Sequence, residues 1–472
     1  MSVRARLVVG LVLVASGCAS TRGLATPSAR LARVDAAESA RAAGDASLTE
    51  ALASDEPMLL SAALRALART EAPDSGAGAI RLLAHDDPTV ATWAAFALGQ
   101  IGGDAAEDAL MAALAGSAAP EEVLRALGRG GAPRALPTVV AALGDERPAV
   151  RAAASTALGL LARRHGKALD VDAATVAALG AHLRQGERDE RFGAAYALMR
   201  LARPAAGLAL IVALGDADAE VRATAARGLG LAGAAPSVLD PVLDDADARV
   251  RVEVARALAL VGSSTRAHAA AAGARVATLA ERELSRWRAS APGAASVLGE
   301  LTAGALALGE PGDRALEVLA VGIEGQTAAP PVERARLSCA VAFALDARAG
   351  ERTRVQTCGD TTLPAWRRLE LEARLAGRAG DVEGLTRLTG HDDERVRAAA
   401  VEALSSVTGD EARAALLGLL TSTDPYIAGG AAGALADKLA PLTPELEQQL
   451  RAVLTRLEIG RASCRERVCY VV

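Results

Sequence analysis

The residues able to do chemistry are few and scattered. Apart from cysteines near the two ends, the chain has Cys339 and Cys358, nineteen positions apart. Neither has a histidine close in sequence to draw off its proton, so a thiol nucleophile is not expected. In an oxidising compartment the two could bridge adjacent helices as a disulfide or remain two buried thiols; spacing alone does not choose. The five histidines, His85, His165, His182, His268 and His391, never approach one another at a metal-ligand spacing. The carboxylates Asp244, Asp245 and Asp247 lack the regular oxygen-ligand loop of a calcium site. Gly228, Gly230 and Gly233 match a dinucleotide fingerprint in form only. No strand precedes them, so the run reads as a helix terminator. No catalytic set, metal or cofactor is expected, and the chain reads as a non-enzyme.

Composition narrows the remaining classes. The chain has 472 residues and a formal charge of −5, and it is 51% hydrophobic but only 2% aromatic. Its apolar content is too high for a disordered polymer. Its acidity and its nine aromatic residues disfavour a nucleic-acid partner. Arginine outnumbers lysine by fifty to two (Lys167 and Lys438) and asparagine is absent, a bias expected of a GC-rich coding source. An arginine where lysine would serve is therefore not read as a functional choice.

The first residues read as an export signal. Arg4 and Arg6 precede the apolar run Leu7 to Ala15, which is too short to span a bilayer as a mature helix. Ala15-Ser16-Gly17-Cys18 resembles the lipobox of bacterial lipoproteins, with Ala15 where leucine is commonest. The resemblance implies cleavage after residue 17 and acylation of Cys18. Ala19 in place of Asp implies sorting to the outer membrane with the protein facing the periplasm. Several acyl chains make such an anchor effectively permanent. Residues 18–37 read as a tether. At the other end, residues 458–472 (EIGRASCRERVCYVV) resemble a translated sequencing-adapter read and are set aside as an assembly scar.

Between these ends the sequence repeats itself, most steps being 29 to 31 residues, with longer steps after Leu158 (40), Leu258 (48) and Leu306 (39). The segments starting at Asp86, Asp145, Asp216, Asp244 and Asp392 share one frame. An acidic turn is followed by an apolar residue, often an arginine, then alanines and an Ala-Leu pair. These offsets fall on one helical stripe. The aligned leucines are Leu67, Leu98, Leu127, Leu158, Leu198, Leu229, Leu258, Leu306, Leu345, Leu375, Leu404 and Leu435. They predict about twelve units of two short helices, the first exemplified by Ala135–Leu143 and Ala412–Leu420. Proline sits at the entry of the second helix at Pro88, Pro148 and Pro425, where its missing N–H costs nothing. No period-2 pattern of β-branched residues suggests strands.

This frame resembles the HEAT-repeat family, in particular its short phycobilin-lyase HEAT-like variety. The resemblance implies an all-α fold, a right-handed α–α superhelix, with blocks at 38–262 and 298–457. Residues 263–297 break the period and read as a longer helix with a glycine break: a hinge, a protruding arm or a degenerate repeat. In such stacks the acidic and arginine positions link neighbouring repeats. Here they are Asp145, Arg151, Asp216, Arg222, Asp245, Arg251, Asp392 and Arg397. Some HEAT-like iron hydroxylases carry His-Glu ligand pairs, and this chain has none.

The resemblance also implies that second helices line the concave wall of a solenoid. One exposed stripe on them carries Arg65, Phe96, Arg125, Tyr196, Arg227 and Arg256, continued by Arg69, Arg129 and Arg200. Arginine mixed with aromatic rings is a composition suited to protein recognition. The expected partners are unidentified proteins bound through this stripe, with membrane contact only through the lipid. The rival expectations are a HEAT-like lyase or hydroxylase subunit acting on a protein-bound cofactor, and a passive strut.

Overall fold

The computed structural model describes residues 26–456 except 43, 71–75, 327–328, 359–361 and 439–442. The signal segment, Cys18 and residues 458–472 lie outside the described residues. Among those described, every regular element is helical and no strand occurs.

The chain divides into two compact units, residues 1–169 and 170–472, a division that falls inside the block expected at 38–262. The first unit holds α1 (Pro27–Ser39), α2 (Ala46–Leu52), α3 (Pro57–Thr70), α4 (Gly76–Leu82), α5 (Pro88–Ile101), α6 (Asp104–Ala113), α7 (Pro120–Gly130), α8 (Leu136–Ala141) and α9 (Pro148–His165). Helices α1, α3, α5, α7 and α9 pack in succession, and α2, α4, α6 and α8 lie behind them.

The second unit begins with α10 (Ala173–Gln185), α11 (Arg188–Leu201), α12 (Gly207–Ala213), α13 (Ala219–Leu231), α14 (Ala248–Ser264), α15 (Arg266–Arg288) and α16 (Ala294–Leu308). It continues with α17 (Asp313–Glu324), α18 (Pro331–Ala349), α19 (Thr353–Thr357), α20 (Ala365–Ala379), α21 (Val382–Leu388), α22 (Glu394–Ser406), α23 (Asp410–Leu419), α24 (Pro425–Lys438) and α25 (Pro444–Arg456). Its second-helix layer runs α11, α13, α14, α16, α18, α20, α22, α24. Between α13 and α14 the first helix is a 3-10 turn, Pro236–Val242, where Pro241 removes a backbone donor.

The leucine frame sets the core. Leu98, Leu127, Leu158 and Leu198 are fully buried, and burying each such side chain contributes roughly 1.5–3 kcal/mol before entropy is counted. Leu306 and Leu345 are only half-buried. On α16 and α18 the core residues are instead Leu298, Leu301, Ala305 and Leu337, Cys339, Val341. The longer steps in the period shift the register there.

A glycine follows the frame leucine at Leu98, Leu127 and Leu229, and there it lets neighbouring helices meet. A Cβ on Gly99, Gly128 or Gly230 would lie 2.8, 2.7 or 2.7 Å from the Cα of Ala126, Ala157 or Ala257 in the next second helix. This explains the fingerprint-like run. Gly228 and Gly230 are packing positions inside α13, and only Gly233, at φ 69°, follows the helix end.

Two expectations need correction. From Pro27 onward the supposed tether is helix, and α1 packs on α3 through Val34 and Ala37. Residues 263–297 are neither a broken helix nor a free arm. Gly273 lies within an unbroken α15, close against Pro311, and α15 packs against α14, α16 and α17 as an elongated first helix.

Candidate protein-binding surface

The turns before α5, α13, α14, α22 and α24 are each built from two successive side-chain caps. Asp218, Asp247 and Asp393 accept the N–H two residues on, at 2.8–2.9 Å, satisfying a free donor of the helix start. One step earlier, Asp216 and Asp245 accept the N–H of Asp218 and Asp247 at 2.8 and 2.9 Å. His85 and His391 take the same place, their Nδ1 accepting from Asp87 and Asp393 at 3.0 Å. They are turn residues, and their acceptor role at Nδ1 puts the ring proton on Nε2.

These turns position the arginine ladder. In Arg222, Nη1 donates to the carbonyls of Asp216 (2.8 Å) and Ala217 (3.1 Å), while Nε and Nη2 grip Asp245 of the next repeat at 2.7 and 2.9 Å. Arg191 grips Asp216 in the same way at 2.7 and 3.1 Å, and Arg397 reaches Asp424 at 2.9 Å. Arg251 also holds its own turn, but its acidic partner is the fully buried Glu283 on α15, at 2.7 Å. Arg151 holds its turn through the carbonyls of Asp145 and Glu146 at 2.8 Å. Asp392 enters only by its carbonyl, 2.8 Å from Arg397, because His391 holds the position assigned to it. The Arg147 guanidinium and N–H hold the Asp145 carboxyl down at about 2, and Arg249 does the same to Asp247, also about 2.

In the first unit Arg65, Arg69 and Phe96 of the expected stripe line one groove, and Arg125 and Arg129 stand beside it without lining it. Arg65 donates to Glu38 (2.9 Å) and Asp35 (2.8 Å) on α1, and Arg69 pairs with Glu38 at 2.8 Å. Arg125 and Arg129 both pair with Glu122. The Arg129 guanidinium lies over the Phe96 ring, 4.8 Å from its centroid. Trp93 meets Phe96 edge-on at 5.6 Å. Two cavities of about 390 and 430 Å³ flank Trp93 and share Arg65. The first reaches Met58 and Asp87, and the second reaches Arg69, Phe96 and Glu122.

In the second unit, Arg200 stacks on Tyr196 at 5.2 Å and Arg188 on Phe192 at 5.5 Å. Arg256 bridges Glu253 (2.7 Å) and Glu300 (2.6 Å), and Arg227 is exposed on α13. Cys339 and Cys358 are joined in a disulfide that ties α18 to the end of α19. Beside it, fully buried Asp346 accepts from the Val355 N–H (2.9 Å) and Arg354 (3.0 Å).

Trp93 and Phe192 were not part of the expected stripe, although the sequence signals them. They stand three and four residues before Phe96 and Tyr196, and so on the same helix faces. The acids that pair with these arginines, buried Glu38 and half-buried Glu300, were less legible. Glu38 lies just beyond the presumed tether, and Glu300 lies past an irregular step.

Comparison with known proteins agrees with this geometry. A family model described as HEAT repeats matches residues 46–123, 117–199 and 373–436. These are HEAT repeats. The α-solenoid class extends beyond the matched segments. Yeast importin-beta (Kap95p) aligns over 88% of this chain and 68% of its own, at 11% identity and TM-score 0.57. Kap121p aligns over 88% of this chain at 16% identity and TM-score 0.40, and the match spans about half (52%) of its length. The CpcE–CpcF complex of phycocyanin lyase from Nostoc sp. aligns over 51% of this chain and 90% of its own, at 22% identity and TM-score 0.32. A search of curated proteins finds no match. Among the described residues, no helix is long and apolar enough to cross a membrane, and no three His, Cys, Asp or Glu side chains are grouped to hold a metal.

Proposed function

We propose that this protein is a lipid-anchored scaffold of the bacterial envelope. It faces the periplasm from the outer membrane, binds other proteins along its second helices and performs no chemistry of its own. The observation that carries the binding role is the Trp93–Phe96 groove. Aromatic rings and outward guanidiniums sit together over acids that are already paired, which is how protein-recognition anchors are composed. Tyr196, Arg200, Arg227 and Arg256 extend the same composition in the second unit.

The envelope location is supported by two independent features. One is the lipobox-like segment ending at Cys18, and the other is the Cys339–Cys358 disulfide, a bond that persists in oxidising compartments. Nucleic acid has no place in this reading, because the arginines are largely matched by carboxylates.

Two experiments test it. Cys18→Ser should move the protein from the membrane to the soluble fraction; retention in the membrane would defeat the anchor. Charge reversal at Arg65, Arg125 and Arg227 should remove partners crosslinked in native envelopes. An unchanged set of partners would make the stack a strut, whereas a stoichiometric metal or chromophore in the purified protein would make it an enzyme subunit.

A further inference from the structure

The seam between α11 and α13 holds two cations that the protein does not neutralise. A Cβ on Gly228 would lie 3.2 Å from the Cα of Met199, so the two helices meet there. Arg200 follows Met199 and Arg227 precedes Gly228, which sets both side chains beside one contact. The equivalent contacts of Gly99, Gly128 and Gly230 stand beside Gln100 with Arg125, Arg129 with Thr156, and Leu231 with Arg256. Of these four seams, α11–α13 alone places like charges side by side, and like charges repel.

Among the stripe arginines, Arg65, Arg69, Arg125, Arg129 and Arg256 each pair with an acid. Arg200 and Arg227 have no acidic partner among the described residues. Arg200 stacks on Tyr196, its buried Nε finds no acceptor, and Arg227 is exposed. No acidic residue occurs in Phe192–Leu201, in Val221–Leu231 or in α12 between them. The nearest acids on the two helices, Glu190 and Glu220, lie ten and seven residues earlier, about 15 and 10 Å along the axis. Both are engaged there, Glu190 with the Glu187 N–H and Glu220 with Arg188. On α14 and α16, Glu253 and Glu300 are both taken by Arg256. One turn on, Leu231 and Leu260 are 42% and 38% exposed at equivalent positions of α13 and α14, an apolar step beside the cation pair.

We propose that Arg200 and Arg227 together hold an acidic side chain of a partner protein, with an apolar residue of the same partner segment on the Leu231–Leu260 step. A carboxylate offers the acceptors that a guanidinium edge binds in charge-assisted pairs, and it relieves the repulsion across the seam. This rests on the reading of the chain as a protein-binding scaffold and names the chemistry its second unit recognises.

The test selects a random peptide library on the full-length protein in detergent and, in parallel, on the double variant Arg200→Gln, Arg227→Gln. The parent should enrich Asp or Glu close to Leu, Ile or Phe, and the double variant should not. In fluorescence anisotropy, the best acidic peptide should bind about tenfold more weakly to either single Gln variant, since each loses a hydrogen bond to a charged group. Leu231→Ser should weaken it by a smaller factor, and Arg413→Gln, on the first helix α23, should leave it unchanged, with circular dichroism showing each variant folded. Selected peptides without acidic enrichment, or equal affinity for parent and Gln variants, would overturn the proposal. So would phosphatidylglycerol vesicles that bind through Arg200 and Arg227 when no acidic peptide does, which would assign the pair to a lipid headgroup. If the selection fails while partners still crosslink from Phe96 in native envelopes, this assignment falls and the scaffold reading stands. Loss of both would remove the scaffold reading as well.

Discussion

Replacing Glu283 by leucine should destabilise the second unit far more than replacing its whole ion pair. Glu283 is fully buried on α15 and accepts from Arg251 at 2.7 and 3.3 Å, and from Arg286. The Arg251 side chain is 3% exposed, so Glu283→Leu leaves a guanidinium with no counter-charge and almost no water. Breaking a buried pair in this way costs about 3–5 kcal/mol. Arg286 loses less, because it keeps Asp244. In the double variant Arg251→Met, Glu283→Leu no charge is stranded. What is lost is mainly the pair of bonds from Arg251 to the carbonyls of Asp245 and Ala246, at about 1 kcal/mol each. Trp287 lies on the same helix and is 5% exposed, so its fluorescence reports on this region once Trp93→Phe and Trp366→Phe silence the other tryptophans. With a urea slope of about 2 kcal/mol/M, the single variant should lower the midpoint by about 2 M and the double variant by about half that. If the double variant loses as much as the single or more, the pair contributes no coupling and the reasoning fails.

Other parts of the stack make separate predictions. Gly128→Ala should cost about 1–3 kcal/mol, because its Cβ would overlap the Ala157 backbone at 2.7 Å, whereas Gly144→Ala, which meets nothing within 4 Å, should be near neutral in the same melt. Asp247→Asn should lower stability at neutral pH. Its carboxyl titrates at about 2 when folded, against about 3.9 unfolded. The charged form therefore stabilises fully above about pH 4, and that contribution is lost as pH falls towards 2, where variant and parent melts should converge. Reducing the Cys339–Cys358 bond, which closes a 19-residue separation, should cost about 3 kcal/mol in the surrounding repeats. Mass spectrometry with alkylation should find both thiols blocked until reductant is added.

The fold was legible because one physical signal recurs. Leu98, Gly99 and the Ala126 that meets Gly99 are near neighbours in a repeating frame, so a local pattern reports a tertiary contact. The arginine ladder was legible for the same reason at Arg222 and Asp245. It misled where one residue type substitutes for another in the same role. His391 caps a turn as Asp216 does, so counting acids placed Asp392 one position late. It failed again where a partner comes from an irregular step, as Glu283 does for Arg251. The groove was half legible: Phe96 and the arginines lie on one stripe, but the pairing of Arg65 and Arg69 with Glu38 depends on α1, which sequence had assigned to a tether. The choice between thiols and disulfide at Cys339 and Cys358 needed the approach of α19 to α18, which no spacing encodes.

The central claim is that partners bind the exposed face of the second helices. Photocrosslinking amino acids placed singly at Phe96, Tyr196 and Arg227, and at exposed Leu208 on the first helix α12, test it in native envelopes. The account predicts discrete crosslinked protein bands from the three second-helix positions and none from Leu208. Equal crosslinking from Leu208, or none from the other three, would contradict it.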